Sequence, residues 1–404
     1  RGQLQVNVTS SVNAFPVKEA RISISYTGIP ESILEQVVTD SSGQTELIEL
    51  NAPPEEWSLD ENEERQPYSE YTLNIEAEGF ESISVSGTEI LANTKAIQNI
   101  RMKQKDQSRE EEQVFVIPAH TLYGNYPPKI AEEEIKPVNE TGEIVLSRVV
   151  VPEYIIVHDG SPRDSTAQNY YVKYKDYIKN VASSEIYATW PEETLIANIL
   201  AIQSITLNRV YTEWYRNKNY DFTITSSTAY DQKWISGRNI YASISQTVDS
   251  IFSNYLARPN ITQPIFTQYC DGRQVSCPNW MRQWESKTLG DRGYSAIEIL
   301  RYFYGNSMYI ASSEEISGVP SSWPGSDLTI GSSGQKVRQL QQQLNTIAGA
   351  YPLIPKLAVD GIYGKKTAEA VKTFQQIFNL PATGVTDYPT WYKISDIYVA
   401  VSRI

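Results

Sequence analysis

The run Val181-Ala-Ser-Ser-Glu-Ile-Tyr-Ala-Thr-Trp-Pro191 sets one carboxyl, Glu185, beside Ile186 and Tyr187 and near Trp190. A carboxyl in an apolar setting close to a helix C-terminus keeps its proton to higher pH than a solvated one, as a general acid must. Residue type by itself leaves a solvated surface glutamate open. Glu192 and Glu193 need no catalytic role, because they fall in the first turn of the helix that follows, where the dipole already favours carboxylates.

Metal chemistry has little to work with. The chain holds two histidines, His120 and His158, and two cysteines, Cys270 and Cys277. A catalytic zinc site takes three protein ligands, and no HExxH, CxxC or paired-His spacing is present. Neither a metal nor a cofactor is expected. The cysteines bound a short turn-rich loop, Cys270-Asp-Gly-Arg-Gln-Val-Ser-Cys277. That loop suits a disulfide in an oxidising compartment, two unpaired thiols or, third, a zinc ligand pair.

The elements that position these residues follow from periodicity. A helix is predicted over 191–216, with Leu195, Ile199, Ile202 and Ile205 on one stripe. Thr189 as N-cap, Glu192 three residues on and Pro191 in the first turn mark its start. Residues 154–157 read as a strand, and 240–256 and 295–304 as further helices, so 151–317 is a mixed α/β unit. Residues 1–103 alternate apolar and polar with period two and are punctuated by Thr39-Asp-Ser-Ser-Gly43 and Glu78-Gly-Phe80, as in a small β-sandwich. Residues 104–150 are rich in charge and proline and read as a solvated linker open to proteolysis. A Ser/Pro/Gly linker over 318–327 precedes a compact unit, 328–404, with Val337, Leu340, Leu344 and Ile347 at helical spacing.

Bulk properties narrow the partners. With 35 basic and 48 acidic residues in 404, the formal charge is −13. An acidic chain without basic stripes disfavours nucleic acid and anionic lipid. The longest apolar stretch, 195–207, is broken by polar residues and falls short of a membrane span, so no membrane partner is expected. The 27 tyrosines permit sugar stacking but are equally ordinary strand residues.

Three segments carry family resemblances. Residues 328–344, then Val359-Asp-Gly-Ile-Tyr-Gly-Lys-Lys-Thr367, then Leu380-Pro-Ala-Thr-Gly-Val-Thr-Asp387, resemble the three-helix peptidoglycan-binding domain attached to many wall hydrolases. The likeness implies binding through Asp360, Gly361, Tyr363, Gly364 and Thr367; shaping the turn is the plain alternative for Asp360 and Gly364. Residues 176–209 resemble the stage II sporulation protein D family, lytic transglycosylases of glycan strands. Glu185 falls on that family's catalytic glutamate. Residues 225–232, Phe266-Thr-Gln-Tyr269, Gln283-Trp284 and 293–304 follow its later blocks. The likeness implies substrate contacts at Tyr230, Gln232, Gln283 and Trp284, with packing the alternative for Tyr230. Where the family often has Gly-His-Gly-Val-Gly, this chain has Val275-Ser-Cys-Pro-Asn-Trp-Met-Arg282 and no histidine. The N-terminal sandwich resembles carboxypeptidase regulatory-like domains.

The order of parts, with Val151-Pro-Glu-Tyr-Ile-Ile-Val-His-Asp-Gly160, resembles the clostridial spore cortex-lytic enzymes. That resemblance implies a zymogen in the spore, outside the cytoplasm. Its substrate would be cortex peptidoglycan and its pro-region would be removed at germination by a Csp-type subtilisin-like protease. The exposed stretch 104–116 is the natural place for the cut. An N-acetylmuramoyl-L-alanine amidase and a non-catalytic wall-binding protein are the alternatives.

Overall fold

The computed structural model describes residues 1–106, 111–137 and 146–402. Its N-terminal part is a β-sandwich whose inner strands largely bury every second residue, while the edge strand Ile33–Val38 buries none. Strand β1 (Gly2–Ser10) alternates buried and half-buried along its whole length, with Leu4, Val6 and Val8 inward. Strands β2 (Arg21–Tyr26), β3 (Ile33–Val38), β4 (Ile48–Leu50), β5 (Ser69–Glu76), β6 (Ile83–Ile90) and β7 (Lys95–Met102) follow. One sheet has the order β3-β2-β5-β6-β8, where β8 is Gln113–Val116, added parallel to β6. The other runs β4-β1-β7 and ends on a strand from far along the chain.

The next unit begins with β9 (Val150–Val151), β10 (Tyr154–His158), β11 (Asn169–Lys173) and β12 (Ile224–Thr225); β10 pairs with both β11 and β12. Helix α1 (Tyr174–Glu185) places Glu185 on its last turn. Helix α2 (Glu192–Tyr211) is buried on nearly all sides, its polar side chains included, and is the spine of the unit. Its start differs from the expected capping box. The N-cap is Pro191, and the Thr189 hydroxyl is instead 2.7 Å from Ser58 Oγ of the sandwich. The predicted helix over 240–256 resolves into β13 (Ile240–Tyr241), α3 (Ala242–Ile251) and a strand Asn254–Ala257. Helices α4 (Gln283–Asp291) and α5 (Ala296–Tyr304) follow, α5 with a Ser295/Glu298 capping box. The C-terminal unit carries α6 (Gln335–Ala350), α7 (Lys365–Ile377) and α8 (Tyr388–Ser402). Among the described residues, no helix is long and apolar enough to cross a membrane.

Strand β13 is the distant strand of the second sandwich sheet: Ile240 and Tyr241 pair antiparallel with Ile97 and Ala96 of β7. The join is sealed by a buried ion pair, Arg238 to Glu89 at 2.9 Å, and by Asn239, which exchanges hydrogen bonds with the Glu89 backbone. Removing one partner of such a pair strands a buried charge at a cost of about 3–5 kcal/mol. Gly237 permits the approach. Its φ is +77°, and a Cβ there would come within 2.6 Å of the Phe115 ring.

The stretch 104–150, expected to be a solvated spacer, is in its described part built into the molecule. Besides β8, residues Ile117, His120, Leu122 and Lys136 are buried. Composition misleads because the charges of this stretch have partners on the central α/β unit. Glu132 forms two hydrogen bonds to the Arg209 guanidinium, at 2.7 and 2.8 Å, and Glu134 does the same with Arg258 at 2.7 and 2.9 Å. The linker 318–327 likewise gives no free tether. The indole of Trp391 donates to Ser321 O, and Trp323 packs edge-on against Tyr388 and Trp391. Helix α8 docks on α3 through Phe252, Tyr388 and Tyr392, and Lys175 pairs with Asp396 at 2.5 Å.

Candidate functional site

Glu185 is 3 % exposed and lies at the wall of a pocket lined also by Tyr126, Lys129, Tyr269, Asp271 and Gln283. Burial raises its pKa, against the pull of Lys129, the hydrogen bond from Tyr269 and the Lys233 backbone. The carboxyl is held at both oxygens. Lys233 N–H donates to Oε1 at 2.8 Å, and the Tyr269 phenol makes a very short hydrogen bond to Oε2. Ending α1 at this residue aims the side chain out of the helix, because Ile186 turns to extended backbone (φ −136°, ψ 151°). The solvated alternative for Glu185 therefore does not hold in this structure.

Asp271 is the other carboxylate of the pocket, and it shapes the neighbouring loop. Its oxygens accept from the backbone N–H groups of Gln274 and Val275 at 2.8 and 2.7 Å, shaping the loop that Cys270 and Cys277 close with a disulfide. That bond settles the three possibilities left open for the cysteines. Among the described residues, no group of three or more His, Cys, Asp or Glu is placed to hold a metal ion.

The remaining sequence candidates fall in different places. Gln283 reaches the pocket and donates to the Glu185 backbone carbonyl at 3.3 Å. Trp284 lies one step away, in an aromatic cluster with Tyr187 and Trp190 at ring separations of 6.1 and 5.0 Å. Gln232 is fully buried, and its carboxamide bonds Tyr177, Thr206, the Ile202 carbonyl and Tyr269. It stands behind the site, not in it. Tyr230 does not line the pocket; its carbonyl accepts from Arg209. Asp231, beside it, anchors the buried Arg209 at 2.6 Å and accepts from Tyr215 and Thr225.

Sequence reasoning missed two residues. Tyr269 was inside a quoted block, but nothing in a tyrosine among strand-like residues marks it as a partner of Glu185. Lys129 lay in the supposed spacer. Its ammonium sits 4.7 Å from the centre of the Tyr269 ring and donates to the Asp231 carbonyl at 2.9 Å. Burial lowers its pKa, and Glu185 then pulls it back up. Thr121, Tyr126, Pro127 and Lys129 thus close the pocket from the N-terminal side. The Ser58 loop of the sandwich covers its aromatic flank, Trp190 donating to Ser58 O at 3.0 Å. A break within 104–116 would leave residues 117–137 in place over Glu185.

In the C-terminal unit the motif residues build a turn. Asp360 Oδ1 accepts from Ile362 N–H and from Gln341, whose Oε1 accepts from Gly361 N–H. Gly361 has φ +76°, Gly364 is the N-cap of α7, and Tyr363 and Thr367 are buried. The exposed groups nearby are Ile330 and Ile362, each 59 % exposed.

Comparison with known proteins matches these two regions. Residues 163–255 match the family described as Stage II sporulation protein, and residues 333–394 match the peptidoglycan binding domain family. A zinc D-Ala-D-Ala carboxypeptidase from Streptomyces albus G is 42% identical over 72 residues, 18% of this chain and 27% of that protein. The chain therefore spans about a quarter of that relative. Among solved structures, a cohesin–X-dockerin complex from Acetivibrio cellulolyticus aligns at 13% identity, covering 28% of this chain and 65% of that one, with a TM-score of 0.18. A catechol 1,2-dioxygenase mutant from Acinetobacter radioresistens aligns at 10%, covering 28% and 57%, with a TM-score of 0.16. Scores this low carry nothing about function. The chain thus joins a sporulation-family domain to a peptidoglycan-binding domain, the pattern of a cell-wall-related sporulation protein.

Proposed function

We propose that the chain is the precursor of a lytic transglycosylase that cleaves spore cortex peptidoglycan, with Glu185 as its single acid–base residue. The observation that carries this reading is the pocket's supply of carboxyls. Ordinary glycoside hydrolysis uses two, one to protonate the leaving oxygen and one to attack or to activate water. Here Glu185 is buried with a raised pKa, as a general acid needs, whereas Asp271 accepts from the Gln274 and Val275 backbone N–H groups of its own loop.

One carboxyl suffices if the substrate supplies its own nucleophile. Protonated Glu185 gives its proton to the glycosidic oxygen between N-acetylmuramic acid and N-acetylglucosamine as the C1–O bond breaks. The muramic 6-hydroxyl oxygen then bonds to C1, and its proton passes to the Glu185 carboxylate. The acid is regenerated, no water is consumed, and the cut end is a 1,6-anhydromuramic residue.

The N-terminal region keeps the precursor silent, since the Ser58 loop of its sandwich covers the aromatic flank of the pocket. A Csp-type subtilisin-like protease removes it during germination, in the spore and outside the cytoplasm. The C-terminal module holds the enzyme on its insoluble substrate. Mass spectrometry of cortex digested by the protease-treated chain tests the chemistry. Anhydromuramic ends support the reading; freed stem peptides with intact glycans would mean an amidase and overturn it.

A further inference from the structure

Glu185 has a phenol hydrogen-bonded to one oxygen of the carboxyl that must carry and release a proton, and nothing in the reaction above uses it. Tyr269 is buried, 2 % exposed, and lines the same pocket. It is itself held from behind: Gln232 Nε2 donates to its hydroxyl at 3.3 Å. That leaves the phenol hydrogen directed at Glu185 Oε2. Gln232 is in turn fixed, its Oε1 accepting from Tyr177 and Thr206 at 3.0 Å each and its Nε2 donating to the Ile202 carbonyl. The chain of bonds runs from the buried spine α2 to the carboxyl. The disulfide begins at Cys270, the next residue, so the backbone carrying Tyr269 is pinned on its far side.

We propose that Tyr269 is a positioning residue for the transglycosylase reaction, holding the Glu185 carboxyl at one rotamer and stabilising the carboxylate that forms as its proton leaves for the glycosidic oxygen. The proposal rests on the reading of Glu185 as the acid–base group. A hydrogen bond to the charged form of an acid favours that form, so the phenol opposes the effect of burial. The two influences divide the cycle. Tyr269 stabilises the carboxylate left when the proton goes to the leaving oxygen, and burial, which favours the protonated form, drives Glu185 to take the next one from the 6-hydroxyl.

Other charged and titratable groups face the same carboxyl. Lys129 and Tyr126 come from the segment after β8, Lys233 from the loop after β12, Tyr177 from α1 itself, and Asp271 from the disulfide loop. Lys129 and Tyr126 lie beyond a cut within 104–116 and stay with the enzyme. Lys233, Tyr177 and Asp271 remain in every variant, so a change made at Tyr269 alone isolates its contribution.

The test is the pH profile of cortex lysis by the protease-treated chain carrying Tyr269→Phe, or 3-fluorotyrosine at 269. Lysis falls as pH rises through the pKa of the acid. Tyr269→Phe removes a donor to the carboxylate, so the falling limb moves up by about one pH unit, and the maximal rate drops roughly tenfold. The fluorinated phenol is more acidic and a stronger donor, and it moves the limb down. A residue that only packs would leave the limb fixed in both variants, and that result overturns the proposal. If Tyr269→Phe does not fold, the fluorinated variant, which keeps the ring and hydroxyl, decides alone. Glu185→Gln in the same assay separates the two ideas. Lysis that survives it sinks the reading of Glu185; lysis abolished there but with unmoved limbs at position 269 sinks only the role of Tyr269.

Discussion

Glu185 and Asp360 are acidic residues that stand in short motifs, and their surroundings differ in kind. Glu185 is nearly out of water, bonded at both oxygens, and faces a pocket with space beyond it. Asp360 is exposed, and its hydrogen bonds go to Ile362 N–H and Gln341. The first is a group whose protonation the fold adjusts and whose open side meets a cavity. The second is a group whose chemistry is used up in making a turn. Two carboxylates with equal claims on paper thus separate into one that can act and one that holds the backbone for others.

The largest expected effect sharpens that contrast. Glu185→Gln should lower cortex lysis by about a thousandfold, within the range that loss of general acid–base catalysis produces, with the melting temperature little changed. Lysis within tenfold of the parent, measured as loss of turbidity of cortex suspensions, would break the contrast at its stronger end. The next effect concerns what covers the pocket. In the full chain, without protease, Lys129→Ala combined with Glu132→Ala and Glu134→Ala should raise lysis roughly tenfold in all, as the charged hydrogen bonds that hold the segment down are lost. Unchanged silence in a variant that still folds would assign the silence to some other contact. The smallest effect belongs to Asp360. Its carboxyl is held below the usual range by the Ile362 N–H and Gln341. A depressed folded-state pKa adds stability that is present above the unfolded value and is lost as pH falls through the folded one. Asp360→Ala should therefore lower the melting temperature slightly at neutral pH and not at all in strong acid, while binding to wall sacculi stays near that of the parent. Binding lost at unchanged melting temperature would make Asp360 a ligand contact and remove the contrast from its weaker end.

How much of this was legible beforehand depended on how local the cause was. The β1 alternation, the α5 capping box and the Asp360-Gly-Ile-Tyr-Gly364 turn are set by neighbours within a few residues, and periodicity or turn chemistry finds them. Glu185 was legible through its motif, and its apolar neighbours gave the correct direction for its proton affinity. Gln232 was legible only as a member of that motif; its burial under Tyr269 depends on α2 and on a loop more than twenty residues away. The segment around Lys129 misled for a physical reason. Its glutamates and lysine look solvated until Arg209 and Arg258, from distant positions, come to meet them. A Thr189 cap was expected from spacing alone, yet the sandwich took that hydroxyl through Ser58. Long-range pairing of polar groups leaves no periodic trace, and that is where the sequence was silent.

The account turns on a single working carboxyl and a nucleophile supplied by the substrate. Digestion of cortex in oxygen-18-labelled water by the protease-treated chain tests this most directly. Muramic ends free of the heavy isotope, produced by the parent and absent with Glu185→Gln, are the predicted result. Heavy oxygen at C1 of those ends would mean that water attacks, that a second catalytic group exists, and that the central claim is wrong.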